Sequence, residues 1–409
     1  MSLRLKPCGT GALRDPNERL QSVLTVGRKS TSKRFENFLS TEAPIDADYG
    51  NPIYDGEPGA EVLVRREFKN GVVEHFEGTR GSEYMVRKTF EGHVAFYEGN
   101  KGNERRVRHR FPSGDIVVYE GEKGSEAMYE YRYANENGLI AFYEGKMGSE
   151  HMVRKKFLNG DFVFYEGDAG QERMVRYEFA NGDEVFYEGT IGNEYRTQYR
   201  FQKGDSEFYE GPRDSERIVR YVLKNGDIIF YSGGAGHEYV IRKKFIDGRV
   251  ALYTGDSGNE RISVFLFDNG EIIYYGGKQG QEYMTRHRFP SGDVKYYEGL
   301  HEEEVLVRIE LENGELRFYE GAKEEERLVR EQFANGDLVY YDGSHGEERI
   351  VKVVYQNGDV EYYEGEKGSE YVVSQLIVEE NAMEIGAHST GWTVDSMIES
   401  FLNKRHGNV

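Results

Sequence analysis

The chain has 409 residues, with 50 Gly, 31 Tyr and 23 Phe against 8 Pro and 1 Trp, and a formal net charge of −20. Many glycines with many aromatics argue against disorder and for turns between strands, because glycine supplies positive φ and aromatics favour pleated surfaces. The acidity disfavours non-specific nucleic-acid binding by the body, the single Cys8 excludes an internal disulfide, and no apolar run reaches the roughly 18 residues of a membrane-spanning helix.

Residues 1–48 carry no repeat and read as a basic, irregular arm. The first fourteen, MSLRLKPCGTGALR, contain no acid. They resemble an organelle transit peptide and lack the apolar core of a secretory signal. Up to position 34 there are eight basic residues, among them Arg28, Lys29, Lys33 and Arg34, against Asp15 and Glu18. The arm is either a solvated tail or a segment that docks on an acidic surface, its own sheet or a partner. The Arg28–Arg34 stretch also suits phosphorylation.

From residue 49 to 378 one pattern recurs. Glycines closing a Tyr-Glu-Gly-like triplet fall at 56, 78, 99, 121, 145, 167, 189, 211, 233, 255, 277, 299, 321, 343 and 365, a spacing of 22 with one interval of 21 and one of 24. The copy from Glu172 to Asn193 is representative. Its strand Glu172-Arg-Met-Val175-Arg176-Tyr-Glu-Phe179 leads through Asn-Gly182-Asp into Glu-Val-Phe-Tyr187-Glu-Gly189. The Asn-Gly-Asp step is a hairpin signal, and Glu-Gly-x-x-Gly is a second turn between copies. Pro112 and Pro290, two residues before the turn glycine, suit the first position of a type I turn, and Lys203 in the Asn column argues against a two-residue type I′ turn. A three-residue loop with a G1 bulge follows. It pairs Phe179 with Asp183, Tyr177 with Val185 and Val175 with Tyr187. Strand alternation then puts Val175, Phe179 and Tyr187 on one face and Glu172, Met174, Arg176 and Phe186 on the other. On that second face a Glu172–Arg176 type ladder between neighbouring hairpins is expected.

A 22-residue hairpin buries no core alone, so the copies must stack. The expected fold is all-β: an open, antiparallel, single-layer β-sheet solenoid of about fifteen tandem hairpins. The competing closed form is a propeller of seven 44-residue units, but the copies show no odd–even alternation. Residues 371–378 read as a last strand and 379–391 as a linker. Residues 392–409 hold a short amphipathic α-helix, in which Val394, Met397, Ile398, Phe401 and Leu402 share one apolar face and Thr393 can cap the start. That helix either caps its own sheet or docks in a partner's groove.

No phosphate loop, dinucleotide fingerprint, zinc-protease motif or nucleophile elbow is present, and the ten histidines form no ligand pair. No catalytic, cofactor-binding or metal site is expected. The copies resemble MORN repeats, in Asn181-Gly-Asp183 with Tyr187-Glu-Gly189 and in Asn335-Gly-Asp337 with Tyr341-Asp-Gly343. The resemblance spans residues 50–378. The two glycines stand further apart than in that family, and its downstream Trp and Gly-x-Gly pair are absent. YD-repeat shells and choline-binding repeats share the texture with other spacings. The MORN resemblance implies an extended single-layer sheet serving as a membrane-proximal or cytoskeletal scaffold, often dimeric. The sequence reading is therefore a non-enzymatic scaffold that binds protein partners or itself in a large cytoskeletal, cortical or virion assembly, inside the cell or in a virion. The alternative is a carbohydrate- or membrane-surface binder using its tyrosine and arginine columns.

Overall fold

The computed structural model describes residues 49–136 and 138–378. They form 30 antiparallel strands in one open sheet, and no helix occurs among the described residues. Strands pair with those before and after them in the chain, while among the described residues Asn51–Asp55 and Tyr371–Leu376 each pair on one side only. The closed propeller is thereby excluded. The strands from Asn51–Asp55 to Arg261–Leu266 lie in one compact unit, and those from Gln281–Arg288 to Tyr371–Leu376 in a second. The basic arm, the linker and the C-terminal helix expected from the sequence lie outside the described residues.

The Asn-Gly-Asp turn has the three-residue form. Phe179 N–H donates to the Asp183 carbonyl at 2.9 Å, and Gly182 N–H donates to the Phe179 carbonyl at 2.9 Å. Gly182 takes φ 87°, open to glycine at no steric cost. The one short interval is built differently. Phe90 pairs directly with His93 across Glu91 (φ 46°) and Gly92 (φ 81°), a two-residue turn of the type I′ hand. In the other turn the two glycines are unequal. At Gly145 (φ 115°) a Cβ would sit 2.8 Å from the Ser149 carbonyl oxygen, whereas at Gly148 it would meet open space. Accordingly the first glycine is constant through all copies, and the second is replaced by Asp214, Glu302 and Glu324, which hold φ of 64–68°.

The faces differ from strict alternation. Across the Glu-Gly turn Phe164 pairs with Arg176 and Tyr165 with Met174, so Val175 is a bulge; Thr197, Val219 and Ile241 are skipped in the same way. An extra residue on one strand reverses the facing of everything before it. Met174 therefore joins Tyr177, Val185 and Tyr187 in a buried cluster with Val163, against which Phe179 packs. Val175 is only half-buried. The expectation that Val175 shares a face with Phe179 and Tyr187, with Met174 opposite, is thus corrected; Phe179 with Tyr187, and Arg176 with Phe186, stand as read. An equivalent cluster gathers Val117, Tyr119, Met128, Ala141 and Tyr143.

The corrected facing has a measurable consequence. Met174, 4% exposed, should cost about 2–5 kcal/mol on truncation to Ala. Val175→Ala should cost under about 1 kcal/mol, because the bulge leaves it at the margin of the core. Urea unfolding midpoints of the two variants check the order; equal costs, or the reverse order, would return Val175 to the inner face.

Candidate functional site

In most copies the repeat is held to the next by two carboxylates, one at each margin of the sheet. The hairpin ladder at Asn-Gly-Asp runs for only three residue pairs, such as Arg154–Phe164 to Lys156–Phe162. Beyond them the strands part, and the bulge turns the backbone N–H of Met152 toward the gap. The carboxylate of Glu172, twenty residues on, accepts that N–H at 3.2 Å. The same bond joins Met128 to Glu150 (3.0 Å), Ile218 to Glu238 (3.2 Å) and Leu306 to Glu326 (3.2 Å). The second oxygen takes a glycine N–H of the carboxylate's own turn, as Gly148 to Glu150 at 2.8 Å. Glu172 and its equivalents are backbone brackets, and the expected Glu172–Arg176 ladder is not what they form.

At the other margin the turn aspartate performs the matching task. Asp161 accepts the backbone N–H of Ala180 at 2.8 Å and the phenol O–H of Tyr177 at 2.6 Å, both in the following repeat. Asp183 does so with Gln202 and Tyr199, and Asp205 with Lys224 and Tyr221. Elsewhere in the array the pair takes other forms. Asp227 faces Lys243 at 3.1 Å, Glu271 faces His287 at 2.5 Å, and His93 faces His109 at 3.0 Å.

The outer face carries the remaining repeated chemistry. Arg176 stacks over the Phe164 ring with its guanidinium carbon 3.8 Å from the centroid. Arg108 over Phe96 (4.0 Å), Arg220 over Phe208 (3.8 Å), Arg286 over Tyr274 (3.6 Å) and Arg330 over Phe318 (3.9 Å) repeat the contact. These are cross-strand neighbours, and guanidinium over a ring face is attractive through the ring quadrupole. Arg176 also bonds Glu184 at 2.7 Å, and Arg200 reaches the same carboxylate at 2.8 Å. The ladder is interrupted where Val118 faces Glu130, Phe186 faces Gln198, Leu252 faces Val264 and Tyr362 faces Ser374. All these side chains are half-buried or exposed, so the face is ordered and open to solvent.

Of the residues singled out from the sequence, Phe179 and Tyr187 line the inner face, Arg176 the outer, Glu172 the junction, and Gly182 and Gly189 the turns. Arg28, Lys29, Lys33, Arg34, Val394, Met397, Ile398, Phe401 and Leu402 lie outside the described residues. The Asp–Tyr and arginine–aromatic pairs were missed. Part of their signal was available as exchanges between columns sixteen and twelve residues apart, such as His93 with His109.

No family model matches the chain, and no curated protein matches it. Among solved structures, TcdB2-TccC3 aligns at 10% identity over 78% of this chain and 23% of that one, with a TM-score of 0.14. The Photorhabdus luminescens Tc holotoxin pore aligns at 10% identity over 80% and 23%, with a TM-score of 0.14. The SAS-4 (dCPAP) TCP domain of Drosophila melanogaster, in complex with a proline-rich motif of Ana2 (dSTIL), aligns at 13% identity over 57% and 89%, with a TM-score of 0.09. The chain spans about a quarter of the toxin chains it matches, and likeness at these scores carries no argument about function.

Two pH effects follow from the junctions. Bonding to backbone N–H groups holds the Glu83 and Glu370 carboxyls below their ordinary range. At Asp227 burial, which raises the value, is outweighed by Ile246 N–H and Lys243. The unfolded chain thus binds more protons as these groups titrate, so this stability is full above the ordinary carboxylate range and is lost as pH falls through the lower native values. Glu83→Gln/Glu370→Gln should lower the urea midpoint at neutral pH and approach wild type at about pH 3; a gap that stays constant over that range would show that the carboxylate charge is irrelevant to the junction.

At the His93–His109 junction, burial pushes the His109 imidazole down to about 4, with Arg106 and His93 adding repulsion. His109 is 1% exposed and packs on Phe111, while His93 stacks on Phe90. Between about pH 6.5 and about pH 4 the unfolded chain takes the proton first, so stability falls with pH by an amount on the order of 3 kcal/mol. Replacing the pair with the Asp–Tyr combination used elsewhere, His93→Asp/His109→Tyr, should flatten the midpoint across that window. An unchanged slope would locate the titration elsewhere.

Proposed function

We propose that this chain is a non-enzymatic scaffold whose outer face, a ladder of arginines stacked on aromatics, is a docking surface for protein partners or for further copies within a large assembly. The observation that carries this reading is the repetition of one half-buried arginine–aromatic contact at a fixed interval, with its guanidinium edges bonded to carboxylates such as Glu184. Docking surfaces use such rigid aromatic and arginine groups because ordering them on binding costs little entropy. The MORN-like reading and a cytoskeletal, cortical or virion setting agree with this and belong to the same proposal. Carbohydrate stacking is less favoured. The Tyr187 column is buried or half-buried on the inner face, and the outer rings already have a guanidinium against one face.

The test separates fold from docking. Arg220→Ala with Arg308→Ala, whose guanidinium carbon lies 3.9 Å from the Tyr296 ring centroid, removes two rungs, one in each unit. Each should cost no more than about 1 kcal/mol of stability, read from the urea midpoint, while recovery of the variant in the native assembly from its own cells should fall sharply. A variant that folds and is incorporated like wild type would sink the proposal.

A further inference from the structure

The repeat register shows what the two ends of the sheet are. The first strand, Asn51–Asp55, occupies the columns of a hairpin's second strand: it pairs with Val62–Glu67 as Glu184–Glu188 pairs with Tyr195–Arg200. The last strand, Tyr371–Leu376, occupies the columns of a hairpin's first strand, pairing as Arg173–Glu178 does with the strand before it. The sheet therefore ends in the two halves of one hairpin. Continuing the internal junction, the free edge of Tyr371–Leu376 in a second copy would meet the free edge of Asn51–Asp55 with Ser374 opposite Ile53, Gln375 opposite Pro52 and Leu376 opposite Asn51, by the register Arg176–Phe186, Tyr177–Val185 and Glu178–Glu184. Such a contact joins unlike surfaces, so each copy that adds presents the same free edge again.

Pro52 stands at the centre of that ladder. Its column is that of Val185, opposite Tyr177. Because Phe179 N–H bonds the Asp183 carbonyl, alternation aims the N–H of the Val185 column at the hairpin partner, which here is the free edge. Proline has no N–H to offer there, and its ring occupies the donor's place. Among the described residues Pro52 is the one proline inside a strand; Pro58, Pro112, Pro212 and Pro290 lie in turns. The side chains also lack the internal match: Ser374 and Ile53 stand where arginine and aromatic rings stack elsewhere, and Gly50 where the turn aspartate brackets the next repeat. The exposed last strand, with Tyr371 58% exposed, has no proline of its own. We infer that Pro52 blocks strand addition at the first edge, and that the surface it closes is complementary to the last strand of a second copy of this chain.

The experiment is sedimentation velocity on the full chain over a range of concentrations. Pro52→Val should shift the weight-average mass above wild type, increasingly with concentration, and adding Gln375→Pro to the same chain should abolish the shift. Pro52→Thr gives the same reading if the valine variant precipitates. The inference is overturned if both Pro52 variants keep the wild-type mass at every concentration. It is also overturned if Gln375→Pro leaves their association intact, or if wild type already associates in a way that Gln375→Pro removes.

Discussion

A backbone N–H that the hairpin cannot satisfy is the constraint on which this fold rests. The bulge at Val175 and its equivalents turns the preceding residue's N–H away from one neighbour and toward a gap where the hairpin strands have parted. An unmet donor in a half-buried sheet costs free energy comparable to a lost hydrogen bond. The chain answers with a carboxylate from the next copy, Glu172 for Met152 and Glu150 for Met128. Each repeat is therefore incomplete until its successor is in place. This makes the array cooperative between neighbours, in addition to the apolar burial that couples repeats in any solenoid.

The second carboxylate explains why both margins stay in register. The turn aspartate binds the loop backbone and the tyrosine hydroxyl of the next repeat, so one hairpin sets the height of the next loop. Between the two margins Val163, Met174, Tyr177, Val185 and Tyr187 fill the inner face. In the second unit the inner face keeps its facing with other chemistry, as where Arg317 pairs with Glu331 at 2.8 Å. The brackets at the glutamate margin persist there, Glu348 accepting the N–H of Leu328 and Glu370 that of Ile350. Backbone satisfaction is the more constant requirement, and the identity of the core side chain the more variable one.

Much of this was legible in the residues. The proline at Pro112 and the lysine at Lys203 fixed the loop length, and loop length fixes hairpin register, so Phe179–Asp183 and Tyr177–Val185 followed. The bulge was not legible, because a β-branched residue such as Val175 fits a regular strand as well as a bulge, and strict alternation then places Met174 on the wrong face. The glutamate column was visible as a constant but suggested an ion pair with the arginine four residues on. A carboxylate that binds main chain leaves no trace in the identity of its partner, which ranges over Leu63, Met85, Arg106 and Ile218. Side-chain pairs do leave such a trace. Asp–Tyr becoming Asp–Lys, Glu–His or His–His at a fixed separation is legible once the copies are aligned with each other.

This division between constant and variable positions bears on function. Columns fixed throughout the array, the bracket glutamate and the two obligatory glycines, are those that the backbone consumes. A column that the fold consumes cannot also distinguish one partner from another. The outer columns are held less tightly, since exchanging an arginine–phenylalanine pair for Val118 with Glu130, or Leu252 with Val264, leaves the ladder intact. The interruptions are unlike one another: Val118 with Glu130 sets an acidic residue beside an exposed Tyr129, Gln198 and Ser374 are neutral and polar, and Leu252 with Val264 is wholly aliphatic. A surface that repeats along the chain thus carries local marks that the fold does not require. If the outer face is the docking surface, these marks are where position along the array can be read, and a partner that binds at one place rather than everywhere must be discriminating there.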